Sequence, residues 1–74
     1  MVIYYNLETK QITRTEDNTM TPILPFNATF EEQKAHYKSI GEDFIGLPYE
    51  MGSYVYSFKL GFDVDGNFVG LQSK

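Results

Sequence analysis

Apolar and polar residues alternate strictly along one stretch of the chain. Tyr54, Tyr56, Phe58, Leu60, Phe62 and Val64 share one side of a period of two, and Val55, Ser57, Lys59, Gly61 and Asp63 take the other. Successive side chains on a strand point to opposite faces, so this pattern predicts a strand from Tyr54 to Val64 with one apolar face. Asp65-Gly66 signals a tight turn and Asn67 to Gln72 returns, which makes Tyr54–Gln72 an amphipathic β-hairpin. Two registers compete. A two-residue turn at Asp65-Gly66 pairs Phe62 with Val69 and Leu60 with Leu71, extending the apolar face. A three-residue loop, Val64-Asp65-Gly66, makes Gly66 a left-handed bulge residue and pairs Phe62 with Phe68. Asp63 at the first turn position and Gly66 at the fourth favour the loop. A slip of one residue inverts the faces of the return strand.

A second hairpin is predicted at the start. Val2-Ile3-Tyr4-Tyr5 is β-prone, Asn6–Lys10 is polar and turn-like, and Gln11-Ile12-Thr13-Arg14 returns. Asn6 suits the turn start because its side chain can accept from backbone two residues on. The turn holds no glycine, so Lys10 or Thr9 is expected in a left-handed conformation. Thr15–Asn27 then reads as a connector. Pro22 and Pro25 forbid a helix there and give an extended path, with Ile23, Leu24 and Phe26 expected against the core. Pro-x-x-Pro is also an SH3-ligand pattern, but its intervening residues are apolar and no arginine flanks it.

Thr29-Phe30-Glu31-Glu32 fits a capping box, with Thr29 as N-cap and Glu32 three residues on. Both glutamates suit the positive end of a helix, Lys38 suits its last turn, and Gly41 suits its end. A helix over Phe30–Ile40 places Phe30, Tyr37 and Ile40 near one face, with Gln33 and Lys34 at its border. So narrow a stripe predicts a surface helix. Glu42–Tyr49 reads as a short helical turn ending at Gly46 or as a loop, anchored by Phe44, Ile45 and Leu47.

The chain has 74 residues and no cysteine, which closes the disulfide route that many small domains use and leaves aromatic burial and oligomerisation. Six Phe and six Tyr supply that burial. The net charge is −4, and Lys10, Arg14, Lys34, Lys38, Lys59 and Lys74 are scattered. Binding to nucleic acid by phosphate neutralisation needs a basic patch, so no nucleic-acid partner is expected. Nothing reads as a signal peptide and no apolar run is long enough to span a membrane, so a soluble chain of one domain, residues 1–74, is expected.

Chemistry-bearing residues are few. Asp63-Val64-Asp65-Gly66-Asn67 looks like the opening of a calcium loop. Counting from Asp63, however, Phe68 stands where that loop needs glycine and Lys74 where it needs a bidentate glutamate. His36 is the only histidine, and Glu32 one helical turn earlier offers an ordinary surface pair. Glu31-Glu32, Glu42-Asp43 and Glu16-Asp17 are adjacent carboxylates expected to stay solvated. No phosphate loop, nucleophile signature or cofactor motif occurs, so no enzyme is expected, nor any catalytic, cofactor-binding or metal residue. Tyr54 and Tyr56, with Tyr49 and Met51 close by, are the candidate partner-binding residues. They begin a strand expected to outrun its shorter return, and an open aromatic edge invites another chain or a second copy of this one.

Ile3-Tyr4-Tyr5-Asn6-Leu7-Glu8-Thr9-Lys10-Gln11-Ile12 resembles a hairpin of short proteins from phages and prophages of Gram-positive bacteria. The usual form there is an aromatic pair, Asp or Asn, a Glu-Thr turn, Gly, then a polar-Ile return, and Lys10 stands where Gly is usual. Phe62-Asp63-Val64-Asp65-Gly66-Asn67-Phe68-Val69 is similar to another hairpin, common in unrelated surface and tail proteins. The resemblance implies an accessory or virion-associated phage protein, in the host cytoplasm or the virion, with no catalytic residues to carry over.

The expected fold is α+β: two β-hairpins forming a small antiparallel sheet, with one α-helix between them (ββαββ), closing into four strands with the helix on one face. A small β-rich barrel with a peripheral helix is the alternative. The expected function is a non-enzymatic phage or prophage protein acting by protein–protein interaction or self-assembly, including as a homo-oligomer. Two alternatives stand beside it. One is an acidic inhibitor of a host enzyme using Glu16, Asp17, Glu31, Glu32, Glu42 and Asp43; the other is a carbohydrate-binding module stacking sugars on Tyr49, Tyr54 and Tyr56.

Overall fold

Val2, Ile3, Tyr4 and Tyr5 leave no polar side for a strand to show to water, and both faces of that strand are covered. The computed structural model describes residues 1–25 and 27–74. Strand β1 (Val2–Asn6) lies at the centre of a three-stranded antiparallel sheet, between β2 (Ile12–Glu16) and β3 (Glu42–Gly46). On one face Val2 and Tyr4 pack with Phe44 of β3 and with Tyr37 of helix α1 (Phe30–Ser39). On the other, Ile3 and Tyr5 pack with Ile12, Leu47, Val55 and Leu60. Leu60 belongs to a second sheet, the hairpin of β4 (Phe58–Phe62) and β5 (Phe68–Ser73). The fold is therefore α+β, with the helix between β2 and β3, and it stacks as helix, sheet and hairpin. Burying Val2 and Ile3 alone stabilises by roughly 3–6 kcal/mol.

The expected four-stranded sheet does not close. Among the described residues the two sheets meet edge to edge only where Gln11 bridges Lys59 and Leu60 N–H donates to the Lys10 carbonyl (3.2 Å). The hairpin folds back over β1 from that corner. Glu42–Gly46, expected as a helical turn or loop, is a strand. Its two large residues follow each other because β3, like β1, has cover on both sides. Phe44 joins the helix layer and Ile45 the hairpin layer, so no alternation marks it as a strand.

Helix α1 follows its sequence closely. Thr29 Oγ1 accepts from Glu32 N–H (3.1 Å) and Glu32 Oε1 accepts from Thr29 N–H (3.3 Å), completing the capping box. The carboxylate is thereby turned towards the cap, and Glu32 does not pair with His36. None of the helix residues is fully buried, and Ile40 just past its end is exposed. Phe30 and Tyr37 set their rings edge-on against Phe44, at 5.4 and 5.8 Å between centroids. The Arg14 guanidinium lies 4.0 Å from the Tyr4 ring centre and reaches the Tyr37 hydroxyl, tying β2 to the helix layer. In the connector Ile23 is 79% exposed and Pro22 is buried instead, because Glu16 Oε2 accepts the Ile23 N–H and turns that residue outward. Phe26 lies outside the described residues.

Both return strands carry a bulge. In the first hairpin Tyr5 pairs with Ile12 and Tyr4 with Arg14, so Thr13 is extra. Ile12 and Arg14, two residues apart, thus face opposite layers. Lys10 takes the left-handed conformation (φ 64), and Asn6 Oδ1 accepts from Glu8 and Thr9 N–H, both at 2.8 Å. In the second hairpin Phe62 pairs with Phe68 while Gly61 pairs with Gly70 and Leu60 with Leu71. The loop Val64-Asp65-Gly66 is the three-residue form, yet Leu60–Leu71 is the pairing of the two-residue form. Val69 is the surplus residue that reconciles them. Phe68 and Leu71, three apart, both reach the core while Val69 turns to solvent.

Two outcomes follow. Gly70 sits at φ 128, a conformation open essentially to glycine alone, so Gly70→Ala is expected to cost about 1–3 kcal/mol. A fall in the urea midpoint at unchanged slope checks it, and a midpoint that stays put means the bulge relocates. Burial first, and then the Asp43 charge, push the Tyr5 hydroxyl up to about 12, and burial followed by its bond to Glu16 raises Tyr4 further still. An unfolded tyrosine ionises near 10, so this contribution is complete below about pH 10 and is lost as pH rises towards the folded values. Circular dichroism with tyrosinate absorbance should show unfolding above about pH 10, with a shallower slope in Tyr5→Phe. Ionisation of every tyrosine near 10 before any loss of structure would contradict it.

Candidate interaction site

The four candidate residues sit on the segment that carries the chain from β3 to β4. Tyr54 and Tyr56 are not on a strand. Gly52–Ser57 is a short 3-10 helix, and the strand begins only at Phe58. Val64, expected at the far end of that strand, lies in the loop and is wholly exposed. The 3-10 turn has about three residues per turn, so Tyr54 and Tyr56 splay by ~120° to either side of Val55. Val55 is fully buried and pins the turn to the core, while Tyr54 is 72% and Tyr56 41% exposed. A strand would have put these tyrosines together on the core face; the 3-10 turn hands that place to Val55. Met51, before the turn, is half-buried against the main core cluster. Tyr49 is 51% exposed and lines a cleft of about 350 Å³ with Met20, Asn18 and Pro48. Glu50 at the same cleft accepts the Asn18 backbone N–H. Among the described residues no ring–ring contact joins Tyr49, Tyr54 and Tyr56.

The other motifs resolve into local structure. Asp63 Oδ1 accepts from Asp65 N–H (2.9 Å) and Asn67 N–H (2.8 Å), and Gly66 N–H donates to the Asp63 carbonyl (3.0 Å). These bonds, the Asn67 backbone bond foremost, hold the Asp63 carboxyl below its ordinary range. His36 is exposed on the helix with its ring edge-on to Tyr37. The carboxylates do not share one face. Glu16 and Glu42 lie opposite Val2 and Asn6, on different flanks of β1 and about 13 Å apart along it. Asp43, expected to be solvated, is buried.

Asp43 has a structural task at the edge of the sheet. Leu47 N–H donates to Met1 O and Leu7 N–H to Gly41 O, and the register between them alternates, so Phe44 turns its backbone groups away from β1. Both are taken. Phe44 N–H donates to Asp43 Oδ1 (2.8 Å), and its carbonyl accepts from Lys34 Nζ (3.2 Å). Lys34 and Asp43 form an ion pair at 2.5 Å. A helix side chain and a strand side chain thus stand in for a neighbouring strand. Two residues on, a Cβ at Gly46 would collide with the Met20 carbonyl, so the connector covers that end of the edge.

The remaining edges differ. β2 carries Arg14, Glu16 and the Thr13 bulge, all of which discourage pairing. β4 meets Lys10 and Gln11. Among the described residues β5 has no strand on its outer side. It is also the longer strand of its hairpin, where the sequence pattern suggested the shorter. The pattern of residues marks Asn67–Gln72 as a return strand but not as the open edge, because the bulge hides its alternation. The signal it does give is six residues with neither charge nor proline.

No protein-family model matches the chain, and neither a curated protein nor a solved structure is significantly similar to it. Among the described residues no helix is long and apolar enough to cross a membrane.

Lys34→Ala should destabilise the fold by about 1–3 kcal/mol, because it leaves a buried carboxylate and a strand-edge carbonyl without their cation. Urea denaturation measures the loss. A variant as stable as the parent would mean that water replaces the lysine freely.

Proposed function

We propose that this chain is a non-enzymatic phage or prophage protein that docks on a protein partner through the exposed tyrosines of the segment between β3 and β4. One observation carries this: Tyr54 is largely exposed on a turn whose next residue, Val55, is fully buried. Large rings held out on an anchored turn lose little conformational freedom on binding, and tyrosine is enriched among residues that dominate interfaces. Tyr56 on the far side of Val55, and Tyr49 beside the cleft with Met20, add further exposed rings along the same segment of chain. The phage assignment rests on the resemblance of the first hairpin.

The alternatives draw less support. Sugar stacking wants rings that present a common platform, and the 3-10 turn sends Tyr54 and Tyr56 to opposite sides of Val55. An acidic inhibitory face wants contiguous carboxylates, whereas Asp43 is buried against Lys34 and Glu16 and Glu42 lie apart.

Immobilised protein and its Tyr54→Ser/Tyr56→Ser variant, exposed to lysate of phage-infected host and to purified host cell wall, test these readings together. The proposal expects a phage-encoded protein retained by the parent and reduced about tenfold or more with the variant, both chains having the same circular dichroism. Equal retention by both chains, or binding to cell wall alone, overturns it.

A further inference from the structure

We propose that the outer edge of β5 pairs with β5 of a second copy of this chain, joining two hairpins into one four-stranded antiparallel sheet. The surface is separate from the tyrosines of the preceding proposal, and its occupant is set by backbone chemistry.

Leu60 N–H donates to Lys10, away from β5, so Leu60–Leu71 is a pair that exchanges no backbone bonds. Phe58–Ser73, two residues along, is another. Leu71 and Ser73 therefore turn their N–H and carbonyl groups outward, to the side where no strand lies among the described residues. These four groups lie in a regular stretch beyond the Val69 bulge, and an extended backbone satisfies all of them at once.

The occupant is a copy of the same strand for two reasons. An antiparallel pair about a two-fold axis at Gln72 sets Leu71 opposite the partner copy's Ser73, and Ser73 opposite its Leu71. Each pair then exchanges both bonds, and the pattern closes on itself without a further surface. The charge pattern fits this arrangement too. β2, β3 and β4 carry Arg14 and Glu16, Glu42 and Asp43, and Lys59, while β5 alone among the edge strands carries no charge. On a chain of net charge −4, that strand is where two copies approach without setting like charges face to face. Oligomerisation is also one of the routes open to a domain this short without disulfides.

The test is sedimentation equilibrium from micromolar to millimolar chain, with amide exchange followed at Leu71 and Ser73. The parent is expected to dimerise, and those two amides to exchange more slowly as concentration rises. Ser73→Pro removes an outward N–H and leaves the bonds to β4 in place, so it should abolish the dimer. Gln72→Glu puts a carboxylate beside Lys59 within the hairpin, which favours the monomer fold, but opposite its own copy across the axis. It should weaken the dimer about tenfold or more at neutral pH without lowering the urea midpoint. Tyr54→Ser/Tyr56→Ser should leave the dimer unchanged. A parent that stays monomeric at millimolar concentration overturns the proposal. So does a dimer indifferent to both β5 variants, or one lost with the tyrosines.

Discussion

The cover on both faces of β1 is the constraint from which the rest of the architecture follows. A strand with Val2 and Tyr4 on one side and Ile3 and Tyr5 on the other cannot lie at a surface. It needs a layer above and a layer below, and a chain of 74 residues has few elements to supply them. The helix takes one side with two aromatic residues and no fully buried residue of its own. The hairpin takes the other with Leu60, Phe62, Phe68 and Leu71. The net stability of such a chain is only roughly 4–11 kcal/mol. The few kilocalories from Val2 and Ile3 are therefore of the same order as the whole, so both covers matter to the fold.

Much of this was legible in the residues, and the failures have one cause. The first strand, its Asn6 turn, a left-handed residue at Thr9 or Lys10 and the capping box at Thr29 were all readable, because each depends on neighbours within a few positions. The second hairpin was readable as a hairpin. What could not be read was β3 as a strand, and which way residues face in the two return strands whose alternation is broken. β3 shows two large residues in succession because both its faces are covered. Thr13 and Val69 each insert one residue into a return strand, so Ile12 and Arg14 part company while Phe68 and Leu71 come together. At Tyr54–Ser57 the opposite error occurs: a perfect period of two is folded as a 3-10 turn in which Val55 is the buried residue.

The candidate tyrosines were found from sequence for a reason that did not survive. They were expected to crown a strand edge, and they stand instead on either side of an anchored turn. The edge itself moved to the other strand of the hairpin. Exposure of the rings and openness of an edge, which sequence pattern ran together, are properties of two different places.

The Lys34–Asp43 pair at Phe44 ties one property of the molecule to another that has no obvious connection with it. The side chain that stands in for a neighbouring strand comes from the helix, so β3 is shielded only while the helix is docked. A chain whose sheet has formed before its helix, whether during synthesis or during local unfolding, presents a bare edge on each sheet. Protection of the β3 edge is thus partly a matter of timing: it begins only when the helix that carries Lys34 has docked.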